Sequence, residues 1–546
     1  MAEKKSAEKI AVFFKYHLLL TQRTELTAGI ILTSAAVFLH LIFMLHAGAF
    51  WRDEIGSIAL ATMPSLSDIW HCLKYDSFPI LSSLIVRFWT VLFTNSEPGL
   101  RYFGFLTGIA ILGIFWLNGR WLGYRVPLLS LALFVFNPLS ITITDSIRPH
   151  GAGIFLILIS FGLIWKIIQE ARLWQIAAGT IAAILSVQCL YQNAFFLASI
   201  IFAGAIVTIY RRQPKKTVIL IMIGLSAAIS LLPYVQPIKN AQYWVSIIKR
   251  PINFPAILRV FFSALNIDGG YFHLIWCGLI LLSLGIILSV SKSRSCRDRS
   301  RNSLLWYCLI SIILCVTAQL FFIKNMQVPV WPRYFLPVMA ITALFLDVVF
   351  ASFNILNIVR IILAVTITII SFNTCNQSVR VRQTNIDMVA LRLEKYAGED
   401  DTIIINPWYL ATSFKNYYNG KAYYTTLPPI EDYSIQRFDL IREKMASLNP
   451  IEPVISMASD CLASNHSIWI VGWEESFPSS LQPQPLPPAP NSKYRWNMFV
   501  YINNWEEQFL YFVKANSGQD TVLPPVTDKP VNPLENCSIM KIEGSQ

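Results

Sequence analysis

The sequence predicts a polytopic α-helical membrane protein carrying a soluble α/β domain at its C-terminal end, and three observations predict it. Of 546 residues, 54% are hydrophobic and 14% charged, too little charge to cover a soluble protein of this size. Apolar stretches recur as far as residue 373, each near the ~20 residues a helix needs to cross a bilayer. After residue 376 the composition changes to mixed, short-period patterns. The chain therefore divides into a membrane domain, 1–376, and a soluble domain, 377–546.

The candidate spans fall at 26–47, 100–118, 126–143, 152–169, 174–190, 194–210, 217–234, 272–291, 303–323, 333–352 and 356–373, about eleven crossings. Between 174 and 210 only "CLYQNAF" interrupts the apolar run. The N-terminus holds Lys4, Lys5, Lys9 and Lys15 but no short apolar core followed by a small-residue cleavage site, so the first helix is expected to be an uncleaved anchor. With a cytoplasmic N-terminus, the alternating loops "GRWLGYR", "KIIQEAR", "YRRQPKK" and "SKSRSCRDRSR" fall in the cytoplasm. These are the most basic short loops, as the positive-inside rule requires. Eleven crossings then place the C-terminal domain outside, on the extracytoplasmic face of the cell membrane. The same clustering explains the net charge of +12. Basic residues sit between apolar runs rather than on one soluble face, so no nucleic-acid partner is expected.

Two outer loops are long. Residues 48–99 hold an acid pair, Pro/Ser breaks and amphipathic pieces such as "LSDIWHCLKY". Residues 235–271 hold "YWVSIIKRPINFPAILRVFFSAL", whose apolar positions interleaved with Lys249, Arg250 and Arg259 suit a helix lying in the membrane interface. In the soluble domain, "DMVALRLEKYAGEDDTIIINPWYL" reads as an amphipathic helix, an acidic turn and a buried strand; "HSIWIVGW" reads as a second strand. A Pro-rich loop, "LQPQPLPPAP", interrupts this domain. Cys461 and Cys537 would be free to pair in an oxidising compartment, while Cys189, Cys277, Cys308 and Cys315 lie in apolar runs as small hydrophobes. No cysteine or histidine pattern has metal-site spacing, and no repeat of fixed period is evident.

The polar groups that could carry chemistry gather at the outer face. Asp53 and Glu54 follow the first helix in "HAGAFWRDEIGSIAL"; Lys74 and Asp76 come later in the same loop; "TDSIRPHG" supplies Arg148 and His150; "VPVWPRYFLP" supplies Arg333 and Tyr334. Acids at membrane depth are costly and usually have a function. A carboxylate can take the proton of an attacking hydroxyl, and arginines can hold a departing phosphate through paired charge-assisted hydrogen bonds. The plainer readings stand beside these: the acid pair as a solvated helix end, Arg148 and Arg333 as snorkelling anchors, His150 as a structural histidine. Asp347, toward the opposite face, reads as structural.

The order of these segments resembles the glycosyltransferase-C class, and within it the family 39 type, which includes protein O-mannosyltransferases and lipid A aminoarabinose transferases. "FWRDEIGSIAL" resembles the family's Asp-Glu motif. "YDSFPILSSLIVRFW" resembles its His-Pro-Pro-Leu segment, with Phe78 and Ile80 in place of stricter choices. "DSIRPHG" resembles its Glu-x-Arg-x-Tyr segment, with Ser146 where glutamate is common and His150 where tyrosine is, and "WPRYFLPVMA" its late Arg-Tyr segment. The likeness spans roughly residues 26–373, and "INPWYLATSFKNYYNG" is similar to the extracytoplasmic domains of some bacterial members.

The resemblance implies transfer of a sugar from a polyprenyl-phosphate donor to a protein, lipid or glycan acceptor. Asp53 would be the base, and Glu54 would orient it, hold the acceptor or bind a divalent cation. Lys74, Arg148, Arg333 and Tyr334 would hold the donor phosphate, with Asp76 and His150 on the substrate. The alternatives are a transporter or flippase for a lipid-linked or anionic substrate, which should show repeat symmetry and broken mid-membrane helices, then a glycan polymerase or ligase, then a membrane scaffold.

Overall fold

The structure, a computed structural model, describes residues 2–266, 270–292, 299–353, 357–472, 482–491 and 496–544, with side chains described outside 2–21 and 290–299. Among the described residues, nine helices are long and apolar enough to cross a membrane: Gln22–His46, Glu97–Leu122, Pro149–Gln169, Gln192–Tyr210, Pro214–Val245, Phe272–Ser289, Ser300–Met326, Pro332–Ala351 and Asn357–Ser378. Leu173–Cys189, at 17 residues, and a broken run over 128–144 occupy the two remaining stretches of spanning composition. Pro332–Ala351 runs through the middle of the bundle, buried throughout Leu336–Phe350.

The run 128–144, expected as one span, is interrupted. A short helix, Leu128–Ser130, passes into a π-helical turn, Leu131–Val135, and Asn137 starts a new helix, Pro138–Thr144. Pro138 takes the first helical position, where its missing N–H costs nothing. The Asn137 Oδ1 accepts from the Leu139 N–H at 2.9 Å, and its Nδ2 donates to the Ala264 carbonyl at 3.0 Å. Irregular backbone at membrane depth is tolerated only where protein surrounds it, and residues 128–137 are buried throughout. Asp347 supports the same break. Its carboxylate accepts from the Leu129 and Ser130 N–H groups at 3.0 and 2.7 Å and from the Ser130 hydroxyl at 2.7 Å. Arg360 links it to the first helix, 3.7 Å from Asp347 and 2.9 Å from Glu25.

The first long loop folds into helices Arg52–Ala61, Leu66–Cys72 and Leu81–Leu92. Ser65 and Asp68 form a reciprocal cap at the second of them. The stretch 243–265, expected as one interfacial helix, is broken: its first residues end the helix that closes at Val245, and its last form a separate helix, Phe254–Leu265. Pro251 between them cannot donate a helical hydrogen bond and drives Arg250 out of helical conformation.

The C-terminal segment folds around a five-stranded sheet of β1 (Thr402–Ile405), β2 (Tyr423–Thr426), β3 (Ile468–Gly472), β4 (Ser517–Val522) and β5 (Ser538–Gly544), in the order β2-β1-β3-β5-β4. β1 lies parallel to β2 and β3, and β5 antiparallel to β3 and β4. Every residue of β1 and β3 is buried, as covering on both faces requires. Side chains alternate across a sheet, which separates the two cysteines. Cys461 packs with Ile404, Ile468 and Ile470 on one face, and Cys537 with Ile403, Ile405 and Trp469 on the other. Both are free thiols; the sheet lies between them.

This segment seats on the loops at one end of the helix bundle. The Phe50 N–H donates to the Tyr417 hydroxyl at 2.8 Å, the Gln383 N–H to the Ala47 carbonyl at 2.8 Å, and the Met498 N–H to the Ile247 carbonyl at 2.9 Å. Phe438 stacks on Trp244 with ring centroids 5.3 Å apart.

Candidate active site

The acid pair opens the helix Arg52–Ala61, in the first turn, where exposed N–H groups favour negative charge. Neighbouring positions on a helix point about 100° apart, so the two carboxylates part company. Glu54 turns inward. It is 1% exposed, and its Oε1 accepts from Arg101 Nη1 and from the Ile147 N–H, each at 3.0 Å. Arg101 also donates to the Gly48 and Ala49 carbonyls. Glu54 therefore ties together the end of the first helix, the helix Glu97–Leu122 and the segment before Arg148. Holding the acceptor or a cation does not fit this placement, because Glu54 does not line the cavity that Asp53 faces; what it fixes is the turn that carries Asp53. Glu54→Gln leaves a buried guanidinium without its counter-charge, and losses of about 3–5 kcal/mol follow such breaks. A clear fall in thermal unfolding temperature in detergent is expected; an unchanged temperature would show that the pair is not structural.

Asp53 faces a cavity of about 1600 Å³. Loop residues Arg52, Tyr75, Asp76 and Phe78, together with Arg148, His150, Arg333 and Tyr334, give it a polar region; Leu139, Ile143, Phe195, Phe321 and Phe322 give it an apolar one. The C-terminal segment contributes Tyr409, Gln436 and Asn532. Arg148 approaches Asp53 twice: Nη1 donates to its carbonyl at 3.0 Å, and Nη2 stands 3.6 Å from Oδ2. Arg148 also donates to the Ser57 hydroxyl at 3.2 Å and lies over the Phe78 ring at 4.8 Å. Arg333 reaches the same Oδ2 at 3.8 Å. Its Nε is buried with no hydrogen-bond partner among the described residues.

Burial opposes ionisation of Asp53, but Arg148, Arg333 and Arg52 outweigh it, aided by a hydrogen bond from Gln436, so its carboxyl is pulled down to about 2. Asp76 lies in the same cavity with the opposite balance: burial raises its carboxyl above the ordinary range, and Arg148 only partly offsets this. His150 lines the cavity edge-on to Phe78, with ring centroids 5.6 Å apart, and its Nε2 is buried without a partner among the described residues. Tyr334 lines it too, its carbonyl accepting from Gln192 Nε2 at 2.7 Å.

Lys74, expected at the donor phosphate, stands apart from the cavity. The 3₁₀ turn Leu73–Tyr75 presents Tyr75 and Asp76 to the cavity but not Lys74, whose Nζ lies 4.8 Å over the Tyr75 ring. The cations that line the cavity beside Arg148 and Arg333 are Arg52 and Arg259. Arg52 pairs with Glu535 at 2.9 Å and lies over Tyr409 at 4.3 Å. Burial pushes the Glu535 carboxyl up to about 7, against the pull of Arg52. A divalent cation does not fit this donor set. Among the described residues no group of three His, Cys, Asp or Glu side chains is arranged to hold a metal, and three arginines already crowd Asp53.

Reading the sequence missed Arg52, Arg101, Gln436 and Glu535. Arg52 sits in the quoted motif itself, and Arg101 opens an apolar helix, so both carried the signal of a charge beside a span. Gln436 and Glu535 carried none, being ordinary residues of a soluble segment.

No protein family and no curated protein sequence matches the chain. Among solved structures it is similar to ArnT from Cupriavidus metallidurans bound to undecaprenyl phosphate, with a TM-score of 0.48 at 10% identity, covering 81% of this chain and 92% of that one. It is also similar to an Archaeoglobus fulgidus oligosaccharyltransferase in complex with zinc and sulfate, with a TM-score of 0.46 at 12% identity, covering 81% of this chain and 67% of that one. A third structure, the same oligosaccharyltransferase tethered to an acceptor peptide, has a TM-score of 0.46 at 12% identity and covers 93% of this chain and 74% of that one. A likeness of this degree concerns helix arrangement and transfers neither substrate nor residue role.

Proposed function

We propose that the protein is an integral-membrane glycosyltransferase that moves a sugar from a polyprenyl-phosphate donor to an acceptor hydroxyl at the extracytoplasmic face. The observation that carries this is the convergence of Arg148 and Arg333 on one oxygen of Asp53, in a cavity with both polar and apolar lining. At 3.6 and 3.8 Å the two guanidinium groups share a single acceptor more loosely than paired hydrogen bonds would. A phosphate offers more oxygens and takes those donors better, while the apolar lining suits the attached prenyl chain.

The step is one inverting displacement. The acceptor oxygen attacks the anomeric carbon as its proton passes to Asp53. The bond from that carbon to the phosphate oxygen breaks, and the electron pair leaves with the polyprenyl phosphate, held by Arg148 and Arg333. Donor binding readies the base. A phosphate that draws the arginines away removes what holds Asp53 down, and burial then raises its affinity for the proton. Asp76 and His150, facing the same cavity, would contact the sugar. The extracytoplasmic assignment rests on the basic loops, which also put the segment 377–546 on that side as a separate domain.

The test is transfer by purified protein, using a panel of undecaprenyl-phosphate hexoses and pentoses with hydroxyl acceptors, read as undecaprenyl phosphate released and glycoside formed. Movement of the lipid-linked sugar across proteoliposomes without any release would favour the transporter reading and overturn this one.

A further inference from the structure

We infer that the C-terminal segment is part of the catalytic site, with Gln436 as a positioning residue that sets the orientation of the Asp53 carboxylate. The inference rests on the glycosyl-transfer reading. Gln436 lies 383 residues from Asp53, and its Nε2 donates to Asp53 Oδ1 at 3.1 Å. The other oxygen, Oδ2, faces Arg148 and Arg333. Two guanidinium groups beside one carboxylate tend to draw both oxygens into paired hydrogen bonds. The amide prevents this by holding Oδ1 toward itself, which keeps one oxygen clear of the arginines. A neutral donor suits the task, because a fourth cation would tie the base down further.

The segment that carries Gln436 is braced on both sides. Arg437 next to it is forked between Asp432 at 2.7 Å and Asp439 at 2.9 and 2.7 Å. The same guanidinium lies 4.4 Å over the ring of Tyr75 in the first loop. Phe438 stacks on Trp244, whose Nε1 donates to the Lys74 carbonyl at 2.7 Å. The amide is therefore fixed against the very loop that leads into Asp76. Salt bridges and stacking of this kind cost side-chain freedom, and here they hold a residue that has no other evident need of rigidity.

Transfer assays on wild type, Gln436→Leu and Gln436→Glu test this. Leucine keeps the volume and removes the donor. A hydrogen bond to a charged group is worth enough that kcat should fall about tenfold or more, with donor KM nearly unchanged. Losing a donor to its charged form raises the proton affinity of Asp53, so the acidic limb of the pH–rate profile should move to higher pH. Glutamate adds a like charge and should move that limb further. A purely structural role for Gln436 would lower the yield of folded protein and leave the limb in place. An acidic limb unmoved in both variants, with or without loss of kcat, overturns the inference. Absence of transfer by wild type overturns instead the glycosyl-transfer reading on which it rests.

Discussion

Asp53→Asn should abolish sugar transfer while leaving the fold and donor binding in place. Asparagine keeps the shape of aspartate and can still accept from Gln436, but it cannot take a proton from an attacking hydroxyl. Removing a general base costs about 10² to 10⁴ in rate. The environment sharpens the expectation, because Arg52, Arg148 and Arg333 remain with one negative charge fewer between them. An added phosphate should therefore bind at least as tightly to Asp53→Asn as to wild type. Stability follows a defined pH dependence. The folded carboxyl, at about 2, lies below the ordinary 3.8, so its ionised form stabilises the fold above the ordinary value. That contribution is lost as pH falls toward about 2, and the stability gap between wild type and variant should close in the same window. Transfer by Asp53→Asn at the wild-type rate would show that another group takes the proton.

Loss of the two arginines together is expected to be the other large effect. In Arg148→Ala/Arg333→Ala, undecaprenyl phosphate should bind roughly 10² to 10⁴ times more weakly, since each charge-assisted contact contributes about 1.5–3 kcal/mol. Single substitutions to lysine should sit between, keeping the charge but not the planar fork. The double variant has a second signature. Asp53 loses two of its three cationic neighbours, so burial prevails and its proton affinity rises. Binding can be followed by ligand-induced thermal stabilisation. Undiminished stabilisation of the double variant by undecaprenyl phosphate would remove Arg148 and Arg333 from the donor site.

The membrane half was legible in the sequence because long apolar runs have one solution in lipid, the helix. The stretch 126–143 misled only in its interior: Asn137 and Pro138 were visible, but the Ala264 carbonyl and the Asp347 carboxylate that make the break tolerable lie far along the chain. Within the site, charges beside apolar runs stood out, and Asp53, Asp76, Arg148, His150, Arg333 and Tyr334 all line one cavity. Local spacing could not show that Asp53 enters the cavity and Glu54 does not, or that Asp76 does and Lys74 does not, because a rotation of one or two residues along a turn decides which side chain points in. Gln436 was out of reach for a different reason. Nothing in its own neighbourhood reveals a partner that depends on tertiary docking.

That docking also sets a timetable. Asp53 leaves the ribosome 383 residues ahead of Gln436. At synthesis rates of about 5–20 residues per second, the interval is roughly 20–80 s. Within it the helix bundle can insert and, once Arg333 has emerged, gather its arginines around Asp53, while the cavity lacks the full wall that Tyr409, Gln436 and Asn532 provide. The growing chain thus holds its charged groups at the bilayer's boundary before the arrangement around them is complete, and the last third of the polypeptide decides when the cavity is finished.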